Sequence, residues 1–205
     1  GTVYMENSTV SGNYGLPGGG MYNTGTAIIT GSTFNDNPTG AIMNLGDAIL
    51  RLTNSTISGN GNYGYDGGGL FLGGQGEVVI NFCTITRNFG GIYNERSVET
   101  GTPQGTFTIQ NSILAGNIGP DDEYGGGSTG DYYFPRQPYF PPSGYANLNS
   151  LGNNIFGNVN APLNWTFNGP GDQVGSTASP INPQLGLLAD NGGNTKTHAL
   201  LTGSP

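Results

Sequence analysis

Four acidic residues, Asp121, Asp122, Glu123 and Asp131, stand near one another in the chain, and such a cluster can do two kinds of chemistry. Two carboxyl groups held across a cleft hydrolyse a glycosidic bond, one as acid and the other as base or nucleophile. Asp121 and Asp122 with Asp131 are the candidates, and Asp47 with Asp66 would be a second set if the fold brought them together. Carboxylate and carbonyl oxygens also bind a hard cation such as Ca²⁺. No EF-hand loop or Gly-Gly-x-Gly-x-Asp nonapeptide accompanies Asp121, Asp122, Glu123 and Asp131. Solvated charge is therefore the expectation for them, with no metal and no cofactor. A lyase acting on acidic sugars needs a base or bound cation beside the developing enolate. Here Arg51, Arg87 and Arg96 are scattered and His198 is the one histidine. A non-catalytic protein is expected, with a polysaccharide lyase or glycoside hydrolase using the loop carboxylates as the alternative.

Beside the carboxylates lies a different kind of surface. Tyr124, Tyr132, Tyr133, Phe134, Arg136, Tyr139 and Phe140 are interleaved with prolines from Pro120 to Pro142. Aromatic faces offer contact area to a sugar ring or a neighbouring protein, and proline lowers the entropy lost on ordering. The segment 118–147 is expected to be an inserted loop that makes contacts, or one that covers a flank of its own fold.

The elements that must position these residues are written in a repeat. Asn7-Ser-Thr-Val-Ser-Gly-Asn13 returns as Asn54-Ser-Thr-Ile-Ser-Gly-Asn60 and, with substitutions, as 31–37, 82–88 and 111–117. A period of this length describes a solenoid. Met5, Ile29, Leu52, Ile80 and Ile109 form one apolar column, and Val3, Ala27, Leu50, Val78 and Phe107 form another two residues earlier. That period is a strand with one buried face. The next column, Val10, Phe34, Ile57, Ile85 and Leu114, falls an odd number of positions later. A bend must intervene at Asn7, Gly31, Asn54, Phe82 and Asn111. A third strand is headed by glycines at Gly20, Gly40, Gly69 and Gly91. Three strands and three corners per repeat predict a right-handed parallel β-helix of about five to six coils. Asn13, Asn37, Asn60, Asn88 and Asn117 are expected to stack as a structural ladder, since Asn amides can hydrogen-bond up and down a corner.

Composition narrows the function classes. A net charge of −8 with five basic residues excludes nucleic acid as a partner, because no basic patch could neutralise phosphates. The chain has 39 glycines and 13 prolines, which excludes a helical solenoid. Cys83 alone can form no internal disulfide; it takes the place of Ser8, Ser32, Ser55 and Ser112 in its column and is expected to be a small buried thiol. Thr9, Thr33, Thr56 and Thr84 form an outward column, but a single one, ended by Ile113, which argues against an ice-binding face. There is no apolar run of membrane-spanning length. The chain opens in mid-repeat and is expected to belong to a longer polypeptide, with any anchor or further coils outside it.

The tail Leu188-Ala-Asp-Asn-Gly-Gly-Asn-Thr-Lys-Thr-His-Ala-Leu-Leu201, with the Asn-Ser-Thr-Ile-Ser-Gly-Asn repeats and Gly18-Gly-Gly-Met-Tyr-Asn23, resembles the bacterial choice-of-anchor Q domain family. Phe34-Asn-Asp-Asn37 and Gly40-Ala-Ile42 are more distantly similar to repeats of polymorphic outer-membrane proteins. The resemblance implies an exported bacterial β-helix at the cell surface or outside the cell, and no reaction. Residues 1–117 are expected to form the coils, and 148–205 a degenerate last coil and a tail on the same rod. The expected role is structural or adhesive. Its partners would be further copies joined through open rod ends and the 118–147 loop, other surface proteins, or glycans.

Overall fold

In the computed structural model Asn7, Gly31, Asn54, Phe82 and Asn111 have φ between 47° and 57°, so the chain turns where the apolar alternation breaks. The structure describes residues 1–15, 18–61, 68–95, 105–119, 131–133, 148–159 and 167–205, with backbone alone at 95, 132 and 133. Strands follow in threes. The first coil holds β1 (Thr2–Glu6), β2 (Thr9–Ser11) and β3 (Met21–Asn23); the second β4 (Thr26–Thr30), β5 (Thr33–Asn35) and β6 (Ile42–Leu45). The third holds β7 (Ile49–Thr53), β8 (Thr56–Ser58) and β9 (Leu70–Gly73), and the fourth β10 (Val78–Asn81), β11 (Thr84–Thr86) and β12 (Ile92–Glu95). Then come β13 (Phe107–Gln110), β14 (Ile113–Leu114) and β15 (Tyr132–Tyr133), followed by β16 (Leu148–Gly152), β17 (Ile155–Phe156) and β18 (Gln173–Val174).

Each strand pairs in parallel with its equivalent one coil away, which makes three sheets. Sheet A runs β1-β4-β7-β10-β13-β16, sheet B β2-β5-β8-β11-β14-β17-β18 and sheet C β3-β6-β9-β12-β15. The chain is thus a parallel β-solenoid. Four coils take their sheet C strand from the repeat, and a fifth takes it from Tyr132–Tyr133, inside the segment that the sequence marks as an insertion.

The register is that of the sequence columns: Ile29 pairs with Leu52, Ile80 with Ile109, and Phe34 with Ile57. Ile29, Leu52, Ile80, Phe34, Ile57, Ile85 and Leu114 are fully buried and form the core with Ile42, Leu70 and Ile92 of sheet C. In the first coil the same columns are less covered, with Val3 exposed and Met5 and Val10 half-buried. The glycines heading sheet C are there for lack of space: a Cβ on Gly69 would stand 2.2 Å from the Gly91 carbonyl oxygen.

The C-terminal tail returns along the rod. β19 (Leu185–Ala189) and β20 (Thr197–Leu200) form an antiparallel hairpin that pairs with no other strand. It lies on the outside of sheet B, so Thr33, Thr56, Ser58 and Thr86, which point outward, are nevertheless buried. The Thr column is therefore covered at Thr33 and Thr56 and exposed at Thr9.

Candidate functional site

Three surfaces of the rod compete for a functional role, and corner lengths separate them. Sheet A connects to sheet B by two residues in every coil. The corners on either side of sheet C vary instead, from 87–91 up to 115–131 on entry and from 24–25 up to 134–147 on exit. Solenoids tolerate insertions on the face around which they build contacts. Sheet B lies under the hairpin. Sheet A presents mainly polar and β-branched side chains, with Tyr4 exposed in its first strand and an exposed ion pair between Arg51 and Glu77 at 2.9 Å.

Sheet C carries the aromatic side chains. Its inward residues are Met21, Ile42, Leu70 and Ile92; the register places Tyr22, Met43, Phe71 and Tyr93 in line on the outer face, one per coil. Neighbouring equivalents are about 4.8 Å apart along a solenoid. Phe71 and Tyr93 stack with centroids 5.0 Å apart and planes inclined by 27°. The stripe is open at Tyr22, which is 61% exposed, and closed at Tyr93, which is 6% exposed. Met43 and Phe71 between them are half-buried. These residues lay in plain view in the sequence. They went unrecognised because Gly-led segments such as Gly20-Met-Tyr-Asn23 signal a strand more loudly than the outward face of that strand.

The carboxylates divide differently. Asp121, Asp122, Glu123, Tyr124, Phe134, Arg136, Tyr139 and Phe140 lie outside the described residues. Asp131 is 1% exposed and points into the corner between sheets B and C. It terminates the asparagine ladder. The backbone N–H and Nδ2 of Asn13 donate to Asn37 Oδ1 at 3.0 and 3.1 Å; those of Asn37 donate to Asn60 Oδ1 at 3.2 and 2.8 Å. Asn60 donates likewise to Asn88, and Asn88 to Asn117. Asn117 then gives both bonds to Asp131 Oδ1, each at 2.8 Å. From Asn37 to Asn117 each Nδ2 also reaches back to a carbonyl of the preceding coil, as Asn60 does to Phe34 O at 2.9 Å. A short amide is the side chain that can accept from one neighbour coil while donating to both.

A second ladder runs along the corner between sheets A and B. The N–H of Ser8 donates to Ser32 Oγ and that of Ser32 to Ser55 Oγ. The Ser55 N–H bonds Cys83 Sγ, the Cys83 N–H bonds Ser112 Oγ, and the Ser112 N–H bonds Asn154 Oδ1. Asn154 N–H and Nδ2 end the series on Asp172 Oδ1. Cys83 thus stands in for serine, and burial pushes its thiol up to about 12, so it stays a thiol at neutral pH. Both ladders finish on a carboxylate, an acceptor with nothing to donate.

The Asp131 carboxyl is pushed up to about 6 by burial, against the pull of N–H donors from Asn117 and Asn158. A carboxyl near that value would suit a general acid. Its oxygens are both engaged inside the corner, Oδ1 by Asn117 and Oδ2 by the Asn158 N–H at 2.6 Å, so it acts as a structural acceptor. Among the described residues no three His, Cys, Asp or Glu side chains converge on a point where a cation could sit.

Compared with protein-family models, curated proteins and solved structures, the chain matches none. The parallel β-solenoid that the choice-of-anchor Q resemblance implies is present; membership of that family is not shown.

Proposed function

We propose that this protein is a non-catalytic adhesive rod, displayed outside a bacterial cell, that holds sugar rings against the outer face of sheet C. The observation that carries the reading is the aligned column of Tyr22, Met43 and Phe71, open at one end and bordered by the corners whose length varies. Rings and thioether offer apolar faces at coil spacing, and a repetitive ligand laid along the rod meets one such face per coil. The exported location rests on the resemblance of the tail and repeats to the choice-of-anchor Q family and on the acidic, lysine-poor composition.

The alternative, a polysaccharide lyase or hydrolase, would draw on Asp121, Asp122 and Asp131. It has one carboxylate fewer to draw on, because Asp131 is spent on the ladder. Self-association, another of the partnerships expected, would use the open rod ends and the 118–147 loop.

The test is binding to a panel of neutral and acidic polysaccharides by affinity electrophoresis. Tyr22→Ala with Phe71→Ala should weaken capture roughly tenfold, at about 0.5–1.5 kcal/mol per aromatic contact, and Tyr22→Ala alone, at an exposed ring, should weaken it with the unfolding midpoint little changed. Unaltered capture by the double variant would refute the sheet C assignment. Release of reducing or unsaturated sugars, abolished by Asp121→Asn, would replace adhesion with catalysis.

A further inference from the structure

Among the described residues, hydrogen bonds tie the hairpin of β19 and β20 to the rod at three coils. Thr33 Oγ1 donates to Lys196 O at 2.7 Å and Thr195 Oγ1 to Gly31 O at 3.1 Å, which tie its tip to the second coil. Arg87 Nη2 donates to Leu185 O at 3.1 Å at the fourth coil. Between them His198 sits over the third coil, 9% exposed, with Nε2 2.8 Å from Ser58 Oγ and Nδ1 2.8 Å from Gly186 O. The surface beneath is hydroxyl-bearing: Thr33, Thr56, Ser58 and Thr86. An element that shares no sheet hydrogen bonds with the body, and covers polar groups that water would also satisfy, opens at a lower free energy than the coils.

In its neutral form the ring fits one tautomer. A carbonyl oxygen can only accept, so Nδ1 bears the proton toward Gly186, and Nε2 accepts from the Ser58 hydroxyl. A second proton would put a positive charge in a buried pocket. On the rod side β5 and β8 carry no titratable side chain, and the charge that acts on the ring from the corner after β11 is that of Arg87, of the same sign. On the hairpin, Asp190 and Lys196 are exposed near the tip, as is Asp36 after β5, and none of them bonds the imidazole.

We propose that the C-terminal hairpin is an acid-released strap, undocked from sheet B by protonation of His198 while the coils stay folded. Release turns sheet B from a covered flank into an open one, in which Thr33, Thr56 and Ser58 extend the exposed row begun by Thr9 and Ser11. Burial lowers the histidine pKa from its ordinary 6.5, against an upward pull from Gly186 and with a smaller downward push from Arg87. The docked state therefore binds fewer protons than the undocked one. Docking is at full strength above pH 6.5 and weakens as pH falls toward the lowered value, by about tenfold per unit in that window.

Amide hydrogen exchange, expressed as protection factors at about pH 7.5 and about pH 5.5, reads this directly. The expected result is a loss of up to about tenfold in residues 185–189 and 197–200, with no loss in 26–30, 49–53 and 78–81. His198→Gln, which carries no titrating proton, should remove the pH dependence. Equal hairpin protection at both pH values overturns the proposal, as does a loss that persists in His198→Gln or one shared by the coils. Should the variant not fold, the imidazole resonances of the native chain decide: titration at the ordinary histidine pKa with the hairpin still protected is equally fatal.

Discussion

Why an aspartate should end an asparagine ladder is answered by counting lone pairs. Asn117 brings two donors to Oδ1 of residue 131 and the Asn158 N–H brings a third to Oδ2, so both oxygens must accept. An amide there would turn an NH₂ toward a backbone N–H. The carboxylate meets the geometry at the cost of a buried charge, and the consequence is a pH dependence opposite to that of an ordinary paired aspartate. Its folded pKa of about 6 lies above the ordinary 3.8, so the folded state binds the proton more tightly. The stabilising difference is complete below pH 3.8 and is lost as pH rises through 6, to a total of roughly 3 kcal/mol. Urea denaturation at a series of pH values should show this slope, and Asp131→Asn should flatten it even where it costs stability at every pH through the amide facing Asn158. A slope unchanged in the variant would place the titration elsewhere. The asparagine column was legible in the sequence because Asn recurs there in all five copies without an apolar substitute. Its end was not, because Asp131 lies in another strand's register; the clue was that Gly130-Asp131-Tyr132-Tyr133 repeats the form of Gly90-Gly91-Ile92-Tyr93.

At the scale of elements, the two-residue corner between sheets A and B is the most regular part of the molecule and the one that the sequence describes best. Each of these corners opens on a left-handed residue, and Asn or Gly occupies every position except that of Phe82, with φ of 53°. A bulky side chain in that region costs roughly 1–2 kcal/mol, and Phe82 is 58% exposed, so little packing offsets the strain. Phe82→Gly is therefore expected to raise the unfolding free energy by about 1 kcal/mol, measured as a higher urea midpoint at constant slope. A lower midpoint would mean that the Phe82 ring makes contacts worth more than the strain. The corners around sheet C defeat the same kind of reading. Their lengths vary, so columns drift out of alignment, and β15 emerges from a segment whose prolines and aromatics read as loop. The tail was legible as a departure from strand columns that lies on the same rod, but not as a hairpin over sheet B. Its docking depends on hydroxyls of coils that lie 140 positions or more away in sequence, as for His198 and Ser58, and no local pattern encodes that.

The whole rod has a direction, and that direction bears on how copies could join. In both ladders each coil donates N–H groups toward the C-terminal side and accepts from the N-terminal side. A head-to-tail stack would continue this only if the last rungs had donors to offer. They do not: Asp131 and Asp172 present acceptor oxygens already in use, and their own N–H groups turn inward to Asn158 O and Gly169 O. The chain then leaves that end to lie along sheet B, so the strap and the ladder caps act together against addition of another coil. Contacts through the first coil, where Val3 and Tyr4 are exposed, join two copies by the same surface and close after a pair, whereas a fibre needs two complementary ends. The segment Gly1–Pro205 should therefore sediment as a monomer or a dimer across its soluble range, and electron microscopy should find no filaments. Fibres with an axial repeat near 4.8 Å, the spacing of stacked coils, would mean that the carboxylate caps yield to a partner's strands.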